Sequence, residues 1–328
     1  MQVYQLEKES LHAFLTAVQA DAELIAPVRT DVVRFSPIKD PATITLTEQS
    51  YEPAKKYFFP AQEVLFQFTG KRITVPAQPS PRRVFFGLRK CDLNAIRHQD
   101  MVYEQLGDPH YLAARKNCTL IGYHCETPPS RYCFCGSLDL VDYFDLMLYE
   151  RDTHYLVEVG SEHGKEVIEL HKTFFSPFHR VLTQNERKIW GADRLTNDDI
   201  TDLYDDPGWK EGVDQCLSCG ACTTLCPTCY CFEIHDEVDT KNTANGERKR
   251  SWSSCQLQEF TRVAGDHVFR KEREARFKHR IFHQLDYFKE KYGVQLCVGC
   301  GRCISGCPTK IDFVQIINTM QHPAGNSE

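Results

Sequence analysis

The chain has 328 residues, a formal net charge of −6 and sixteen cysteines. This length predicts two or three domains, and the negative charge does not favour nucleic-acid binding. No stretch approaches about 18 uncharged apolar residues and the N-terminus lacks a signal-peptide pattern, so we expect neither a membrane span nor export. Sixteen cysteines in such a chain favour metal ligation in a reducing cytoplasm over a disulfide framework.

The first half of the chain alternates predicted helices with short β-like runs. A helix is expected over residues 10–24, with Ser10 as its candidate N-cap. Further along, strand 83–88, helix 92–106 and strand 119–123 are typical of one βαβ unit. Residues 1–190 are therefore predicted to form a mixed α/β domain. The predicted strands are residues 42–46, 63–68, 83–88, 119–123, 143–149 and 155–159.

Four cysteines follow the two strands of this βαβ unit. They are Cys91, Cys125, Cys133 and Cys135. Because the carboxyl ends of adjacent parallel strands meet at one edge of a sheet, we expect these thiols to converge there. Four thiolates could hold an iron–sulfur cluster, and the alternatives are a zinc site or separate buried thiols. Asp92 is expected to cap the helix, with a role as an oxygen ligand as the alternative, and Cys118, which opens its strand, is expected to be a core thiol.

Two copies of the string C-x2-C-x2-C-x3-C-P dominate the second half, at residues 216–227 and 297–308. In this bacterial ferredoxin run three thiolates bind one 4Fe–4S cluster, and the fourth cysteine binds the cluster of the other run. A pair of zinc sites is the alternative, although zinc sites prefer two separated cysteine pairs. The pattern assigns the first cluster to Cys216, Cys219, Cys222 and Cys307. It assigns the second cluster to Cys297, Cys300, Cys303 and Cys226.

The 70 residues between Cys226 and Cys297 are predicted to be helical over 256–263 and 270–292. Such a long insert is similar to the α-helical ferredoxin domain of fumarate reductase iron–sulfur subunits. A closing helix is expected over residues 311–320. The predicted fold is therefore α/β or α+β: the mixed domain first, then an α-helical ferredoxin-like domain with two 4Fe–4S clusters over residues 191–328.

Three cysteines near the first run have no ligand role in this assignment. They are Cys229, Cys231 and Cys255. The favoured interpretation is that they pack around the clusters as small apolar groups and donate weak S–H hydrogen bonds. The alternative is a catalytic thiol pair.

Several strings together identify a family. They are residues 87–96, 133–135, 226–232 and 252–255, with both ferredoxin runs. On these the chain resembles the β subunit of soluble NiFe hydrogenases of the sulfhydrogenase type, which is homologous to the iron–sulfur subunit of anaerobic sulfite reductase. The resemblance implies an electron-transfer subunit beside a flavoprotein that binds FAD and NAD(P)H. It also implies the hydrogenase small and large subunits as further partners.

Other motifs are missing from the sequence. It has no G-x-G-x-x-G after a strand, no Walker A string and no H-E-x-x-H, so no catalytic residue is predicted. We therefore expect an electron-transfer subunit of a cytoplasmic multi-subunit oxidoreductase that passes single electrons between the flavoprotein and another redox subunit. Three alternatives stay open: the iron–sulfur subunit of an anaerobic sulfite reductase, an enzyme that reduces a substrate at its own N-terminal cluster, and a zinc-binding interaction protein.

Overall fold

Fourteen strands and eleven α-helices are found in residues 2–322, the part of the chain described by a computed structural model. Met1 and residues 323–328, the outer ends of the two predicted domains, lie outside the described residues. The strands are β1 (Val3–Glu7), β2 (Glu23–Arg29), β3 (Val33–Pro37), β4 (Gln62–Thr69), β5 (Arg72–Thr74), β6 (Arg83–Leu88), β7 (Cys118–Tyr123), β8 (Leu146–Glu150), β9 (His154–Val159), β10 (Ser176–Phe178), β11 (Phe232–Val238), β12 (Asn245–Trp252), β13 (Arg262–Val263) and β14 (His267–Val268). The helices are α1 (Lys8–Gln19), α2 (Lys90–Leu106), α3 (Pro109–Arg115), α4 (Glu162–Leu170), α5 (Gln184–Arg187), α6 (Trp209–Gln215), α7 (Ala221–Thr224), α8 (Arg273–Phe282), α9 (Phe288–Tyr292), α10 (Arg302–Ser305) and α11 (Phe313–Gln321).

A central sheet of eight strands has the order β10-β1-β9-β8-β7-β6-β2-β3. The pairs β2/β6, β6/β7 and β7/β8 are parallel, and the other pairs are antiparallel. Because successive strand residues point to opposite faces, Phe85 joins the core that contains α2, whereas Val84 and Phe86 join the core that contains α1 and α4. The predicted βαβ unit of β6, α2 and β7 is therefore confirmed.

A second, antiparallel sheet combines strands from both halves of the chain in the order β11-β12-β4-β5. Strand β12, from between the two cysteine runs, pairs with β4 of the first half, with Glu247 opposite Gln67. This ladder ties the segment between the runs to the first half of the molecule. The boundary between residues 190 and 191 stays a prediction.

The helix predicted over residues 256–263 is wrong. A 3₁₀ turn at Glu259–Thr261 and strand β13 occupy that stretch, after the β11–β12 hairpin. The hairpin lacks apolar alternation because ion pairs span its strands, Arg248 to Asp236 at 2.7 Å and Lys249 to Glu237 at 2.5 Å. Cross-strand charge pairs of this kind stabilise a solvent-exposed hairpin, which cannot be predicted from alternating apolar residues in the sequence.

Several predicted boundaries in the first half also differ. Helix α1 begins directly after β1, with Glu7 rather than Ser10 at the N-cap position, and β2 occupies the end of the predicted helix. The predicted strand 42–46 is replaced by a 3₁₀ turn at Pro41–Thr43, where the Asp40 side chain accepts a hydrogen bond from the backbone of Ala42. Strand β8 begins at Leu146 instead of at residue 143.

The helical part of the second half follows the prediction. Residues 270–292 contain α8, a π-helical turn at His283–Tyr287 and α9, and the closing helix is α11. Phe277, Ile281 and Leu285 share a core with Trp209 of α6. Within residues 2–322 no helix combines the length and apolarity needed to cross a membrane. The fold class, a mixed α/β region followed by a helical dicluster region, is confirmed.

Candidate iron–sulfur centres

The first cysteine run surrounds a cavity of about 700 Å³, its open mouth included. Five of the predicted ligands line it: Cys216, Cys219, Cys222 and Cys307, which are assigned to the first cluster, and Cys303, which is assigned to the second. Cys307 belongs to the second run, yet its side chain reaches the cavity of the first. The apolar wall is provided by α8, including Phe277 and Ile281. Four thiols around one cavity are the donor set that a 4Fe–4S cluster requires, so the residues present fit this cofactor.

Both runs repeat the same two hydrogen bonds to sulfur. The backbone N–H of Ser218 donates to Cys216 Sγ, and that of Gly299 donates to Cys297 Sγ, each at 3.4 Å. After each Cys-Pro pair a threonine hydroxyl lies near the cysteine sulfur, at 3.2 Å for Thr228 and Cys226 and at 3.4 Å for Thr309 and Cys307. Such donors favour a charged sulfur, which suits thiolates bound to iron.

The second run lies deeper in the molecule than the first. In the second run Cys300 is 7% exposed and Arg302 is 1% exposed, whereas Cys219 of the first run is exposed. Burial first, and then the neighbouring Cys226 and Cys300, raise the pKa of Cys297 to about 12. Cys226 thus lies within electrostatic range of the second run, as the predicted exchange of fourth ligands requires.

The four N-terminal cysteines come together beside the second run. Cys91 packs against Cys300 in a small buried cluster. Cys133 Sγ lies 3.7 Å from the carbonyl oxygen of Cys300. Burial first, and then the neighbouring Cys133, Cys125 and Cys300, raise the pKa of Cys135. The adjacent parallel strands β6 and β7 produce this convergence, as the sequence predicted, while Cys118 is buried elsewhere as a core thiol.

The loop that carries Cys133 and Cys135 is fastened to the second run by backbone contacts. The N–H of Phe134, between the two cysteines, donates to the carbonyl of Gly299 at 2.8 Å. Gly299 and Gly301 both have positive φ, 63° and 71°. A Cβ at Gly301 would lie 2.5 Å from the Tyr132 carbonyl oxygen, and one at Gly299 would lie 2.5 Å from the Cys135 backbone. Glycine is therefore required for both the turn and the close approach.

A buried ion pair lies between the N-terminal cysteines and the second run. Arg302 Nη1 contacts Asp92 Oδ1 at 2.8 Å, although the two groups are not aligned as a hydrogen bond, and both side chains are 2% exposed. Arg302 also donates to the backbone and hydroxyl oxygens of Ser50. Asp92 is thus not the N-cap that the sequence predicted: Arg89 holds that position, and Asp92, in the first turn, accepts its N–H.

Burial keeps most of these thiols neutral when no metal is bound. It raises the pKa of Cys133 to about 12, that of Cys222 to about 11, and that of Cys91 well above its usual range. Since iron binds the thiolate, cluster binding must release these protons.

The three additional cysteines pack next to the runs. The neighbouring thiol of Cys229 holds the pKa of Cys226 well below its usual range. Likewise the neighbouring thiol of Cys255 lowers the pKa of Cys231 to about 7. Cys229 and Cys255 are buried, as expected for thiols that pack as small apolar groups.

The donors that the structure brings together around one cavity are thiols from both ferredoxin runs. In the described part of the chain, no three Cys, His, Asp or Glu side chains are grouped closely enough for one metal ion. One Zn²⁺ draws its sulfur ligands to about 2.3 Å, whereas a cubane spreads four thiolates over its corners. Fold and site together define an iron–sulfur protein of the dicluster type.

Comparison with known proteins gives the family. A family model described as a 4Fe-4S dicluster domain matches residues 215–311. The chain is 31% identical over 337 residues to Sulfhydrogenase 2 subunit beta of Pyrococcus furiosus, and the match covers 98% of this chain and 99% of that relative. The chain belongs to the family of sulfhydrogenase β subunits, and it is an iron–sulfur electron-transfer subunit.

Sequence reasoning missed several residues around these centres. The threonines after each Cys-Pro pair had a visible signal, because Cys-Pro-Thr occurs in both runs. Arg302 lies within the second run, but nothing local indicates its partner Asp92, 210 residues earlier (302 − 92). Two further buried cations, Lys55 and Arg280, had no local signal.

Proposed function

We propose that this chain carries single electrons between a flavoprotein that binds FAD and NAD(P)H and the small and large subunits of a NiFe hydrogenase. The observation that carries the proposal is the first-run cavity, which is lined by Cys216, Cys219 and Cys222 of the first run and by Cys303 and Cys307 of the second. The full-length similarity to a sulfhydrogenase β subunit favours a hydrogenase assembly over a sulfite reductase assembly.

The two ferredoxin clusters are proposed to use exchanged fourth ligands. The first would be held by Cys216, Cys219, Cys222 and Cys307. The second would be held by Cys297, Cys300, Cys303 and Cys226. The cavity lining supports the first set, since all four of its thiols line one cavity. Gln284 supports the second set, because its backbone carbonyl accepts the Cys297 N–H at 2.9 Å and its side-chain oxygen lies 3.7 Å from Cys226 Sγ. When bound, such clusters each accept and release one electron.

A third 4Fe–4S cluster is proposed for the N-terminal thiols. Its ligands would be Cys91, Cys125, Cys133 and Cys135. Cys91 and Cys300 belong to the same small buried cluster of side chains. Because Cys300 is a proposed ligand of the second cluster, this supports an electron path between the third cluster and the second. The second cluster would then lie between the first and the third. Burial of the thiols would exclude water from the inner two sites, which strengthens the electrostatic influence of the protein on them.

The redox partner is proposed to dock at the first run. Cys219 is exposed and its neighbour Leu217 is 63% exposed, whereas the second run and the N-terminal thiols are covered. An exposed apolar side chain beside a cluster suits the centre of a transient interface. We propose a cytoplasmic location as well, supported by the finding that all sixteen cysteines are free thiols.

The docking proposal is tested with Leu217→Glu in the iron-loaded chain. We expect slower reduction by NAD(P)H in the presence of the flavoprotein subunit, with an unchanged cluster content. Leu170→Glu is the matched control, because Leu170 is 62% exposed on α4, whose core lies on the other face of the central sheet. Equal rates for the two variants would contradict docking at the first run. Failure of the flavoprotein to reduce the wild-type chain would contradict the proposed partner.

A further inference from the structure

Four buried cations have no carboxylate partner in residues 2–322, and two of them, Lys55 and Arg280, donate to backbone carbonyls of the first cysteine run. Lys55 is 4% exposed and Arg280 is 9% exposed, and neither takes part in an ion pair. Buried Arg302, by contrast, pairs with Asp92. A buried charge without a countercharge is costly, so the missing partner is informative.

Lys55 is brought to the second half of the molecule by a 3₁₀ turn of the first half, Ala54–Tyr57. Its Nζ donates to the backbone carbonyls of Thr223 and Cys229, each at 3.2 Å, and lies 4.2 Å from the centre of the Trp252 ring. These partners orient the ammonium group but carry no net charge. After burial, the groups that act most strongly on the charge of Lys55 are the thiols of Cys229, Cys226 and Cys231.

Arg280 projects from α8 into the cavity of the first run. Its Nη2 donates to the Cys222 carbonyl at 3.2 Å, while its buried Nε has no hydrogen-bond partner in the described residues. The thiols that act on it most strongly are Cys229, Cys226, Cys222 and Cys303, in that order. These thiols come from both runs, so Arg280 lies between the two proposed cluster sites.

We infer that Lys55 and Arg280 are the fixed countercharges of the paired clusters and raise their reduction potentials. Arg280 lines the cavity of the first run together with Cys303 of the second, so it acts on both clusters. Lys55 donates to the carbonyls of Thr223 and Cys229, on either side of Cys226 in the chain, so it acts on the cluster that Cys226 binds. This inference rests on the proposed function, since it requires that both clusters are present.

The physical reason is the charge of the cluster. Four thiolates make a 4Fe–4S centre anionic, and reduction adds one more negative charge. A nearby fixed cation stabilises the reduced form more than the oxidised form, which raises the potential. The effect is stronger in a low-dielectric interior than at a surface, and both cations are buried. Lys55, from the first half of the chain, thereby raises the reduction potential of a cluster whose ligands come from the second half.

The test is a redox titration of the iron-loaded, full-length chain followed by electron paramagnetic resonance. The signal of the first cluster is identified as the one lost in Cys219→Ala. We expect Lys55→Gln to shift the second cluster to lower potential and leave the first unchanged. Arg280→Gln should shift both clusters to lower potential, and Lys55→Arg and Arg280→Lys should largely restore the wild-type values.

Two controls separate this effect from a general loss of positive charge. Lys56→Gln removes the neighbouring cation, which is partly exposed and pairs with Glu52 at 3.4 Å. Lys278→Gln removes a cation of the same helix as Arg280, paired with Glu274 at 2.7 Å. Neither control should move a potential, because each charge already has a carboxylate partner.

Unchanged or higher potentials in both Gln variants would overturn the inference while leaving the proposed function intact. Loss of the second cluster in Lys55→Gln with retention in Lys55→Arg would support the inference, because the anionic cluster would then require a positive charge at position 55. Loss of the cluster in both Lys55 variants would show that only the shape of lysine matters, and would overturn it. An absence of iron–sulfur signals in the wild-type chain would instead refute the proposed function.

Discussion

The two ferredoxin runs share one string of residues but lie in opposite surroundings. The first forms an open cavity, with Cys219 exposed and Leu217 63% exposed. The second is covered by the first half of the chain: Gln49 donates to the Cys300 carbonyl at 3.0 Å, and Arg302 is 1% exposed beneath Ser50. The same cysteine pattern is therefore open to solvent in one place and covered in the other, and this difference comes from the rest of the fold.

The proposed exchange of the fourth ligands would make each run depend on the other for its cluster. We expect Cys307→Ala to remove the cluster of the first run, because its thiol lines that cavity, with a loss of about four irons per chain. The electron paramagnetic resonance spectrum of this variant should match that of Cys219→Ala and differ from that of Cys300→Ala. Cys118→Ala, which removes a buried thiol away from the cavity, is the control and should keep all iron. A spectrum like that of Cys300→Ala would show that each run keeps its own fourth ligand.

The first half of the chain, which covers the second run, is proposed to bind a third cluster through its own cysteines. The double variant Cys133→Ala, Cys135→Ala should lose about a third of the iron and retain both ferredoxin signals. Chemical analysis of iron together with the resonance spectrum measures both. Unchanged iron would identify the N-terminal cysteines as structural thiols.

Glycine follows the second cysteine in both runs, which allows a matched comparison. Gly220 and Gly301 have φ of 78° and 71°, so alanine is strained at either position. At Gly301, however, a Cβ would lie 2.5 Å from the Tyr132 carbonyl, whereas at Gly220 the nearest atom is the Ser254 side chain at 3.2 Å. Gly301→Ala should therefore lower the free energy of unfolding by about 1–3 kcal/mol more than Gly220→Ala. Equal losses of unfolding free energy in the two variants, measured with denaturant, would mean that the loop of Tyr132 is not tightly packed against the second run.

The covered and open thiols should also differ in their dependence on pH when iron is absent. Burial raises the pKa of Cys133 from 9.0 to about 12, whereas at Cys307 hydrogen bonds from Thr309 and the backbone outweigh burial and lower the pKa. Because the pKa of Cys133 is higher in the folded chain than in the unfolded chain, the unfolded chain loses this proton at a lower pH than the folded chain. The free energy of unfolding of the iron-free protein should then fall as the pH rises from about 9 towards 12.

Iron-loaded protein should lack this decline, because its thiolates are already bound to metal. Urea unfolding between pH 8 and about 11, with and without iron, measures the difference. Parallel curves for the two forms would contradict burial of the N-terminal thiols in the iron-free state. Replacement of Cys133 and Cys135 by alanine should reduce the decline.

Much of the site could be predicted from sequence because its signals are local. The eight ferredoxin cysteines lie in two short strings, and β6, α2 and β7 follow ordinary periodicity. The hairpin β11–β12 was missed because its strands are held by cross-strand ion pairs instead of apolar alternation. Lys55 and the pair of Asp92 with Arg302 could not be predicted, since their partners lie far away in the chain and meet only through tertiary packing.

The most direct test of a three-cluster path is the content of iron and acid-labile sulfide in anaerobically purified, full-length protein. We predict about twelve of each per chain, from two ferredoxin clusters and one N-terminal cluster. A value of about eight of each would contradict this account: the path would end at the second run, and Cys91, Cys125, Cys133 and Cys135 would only cover it.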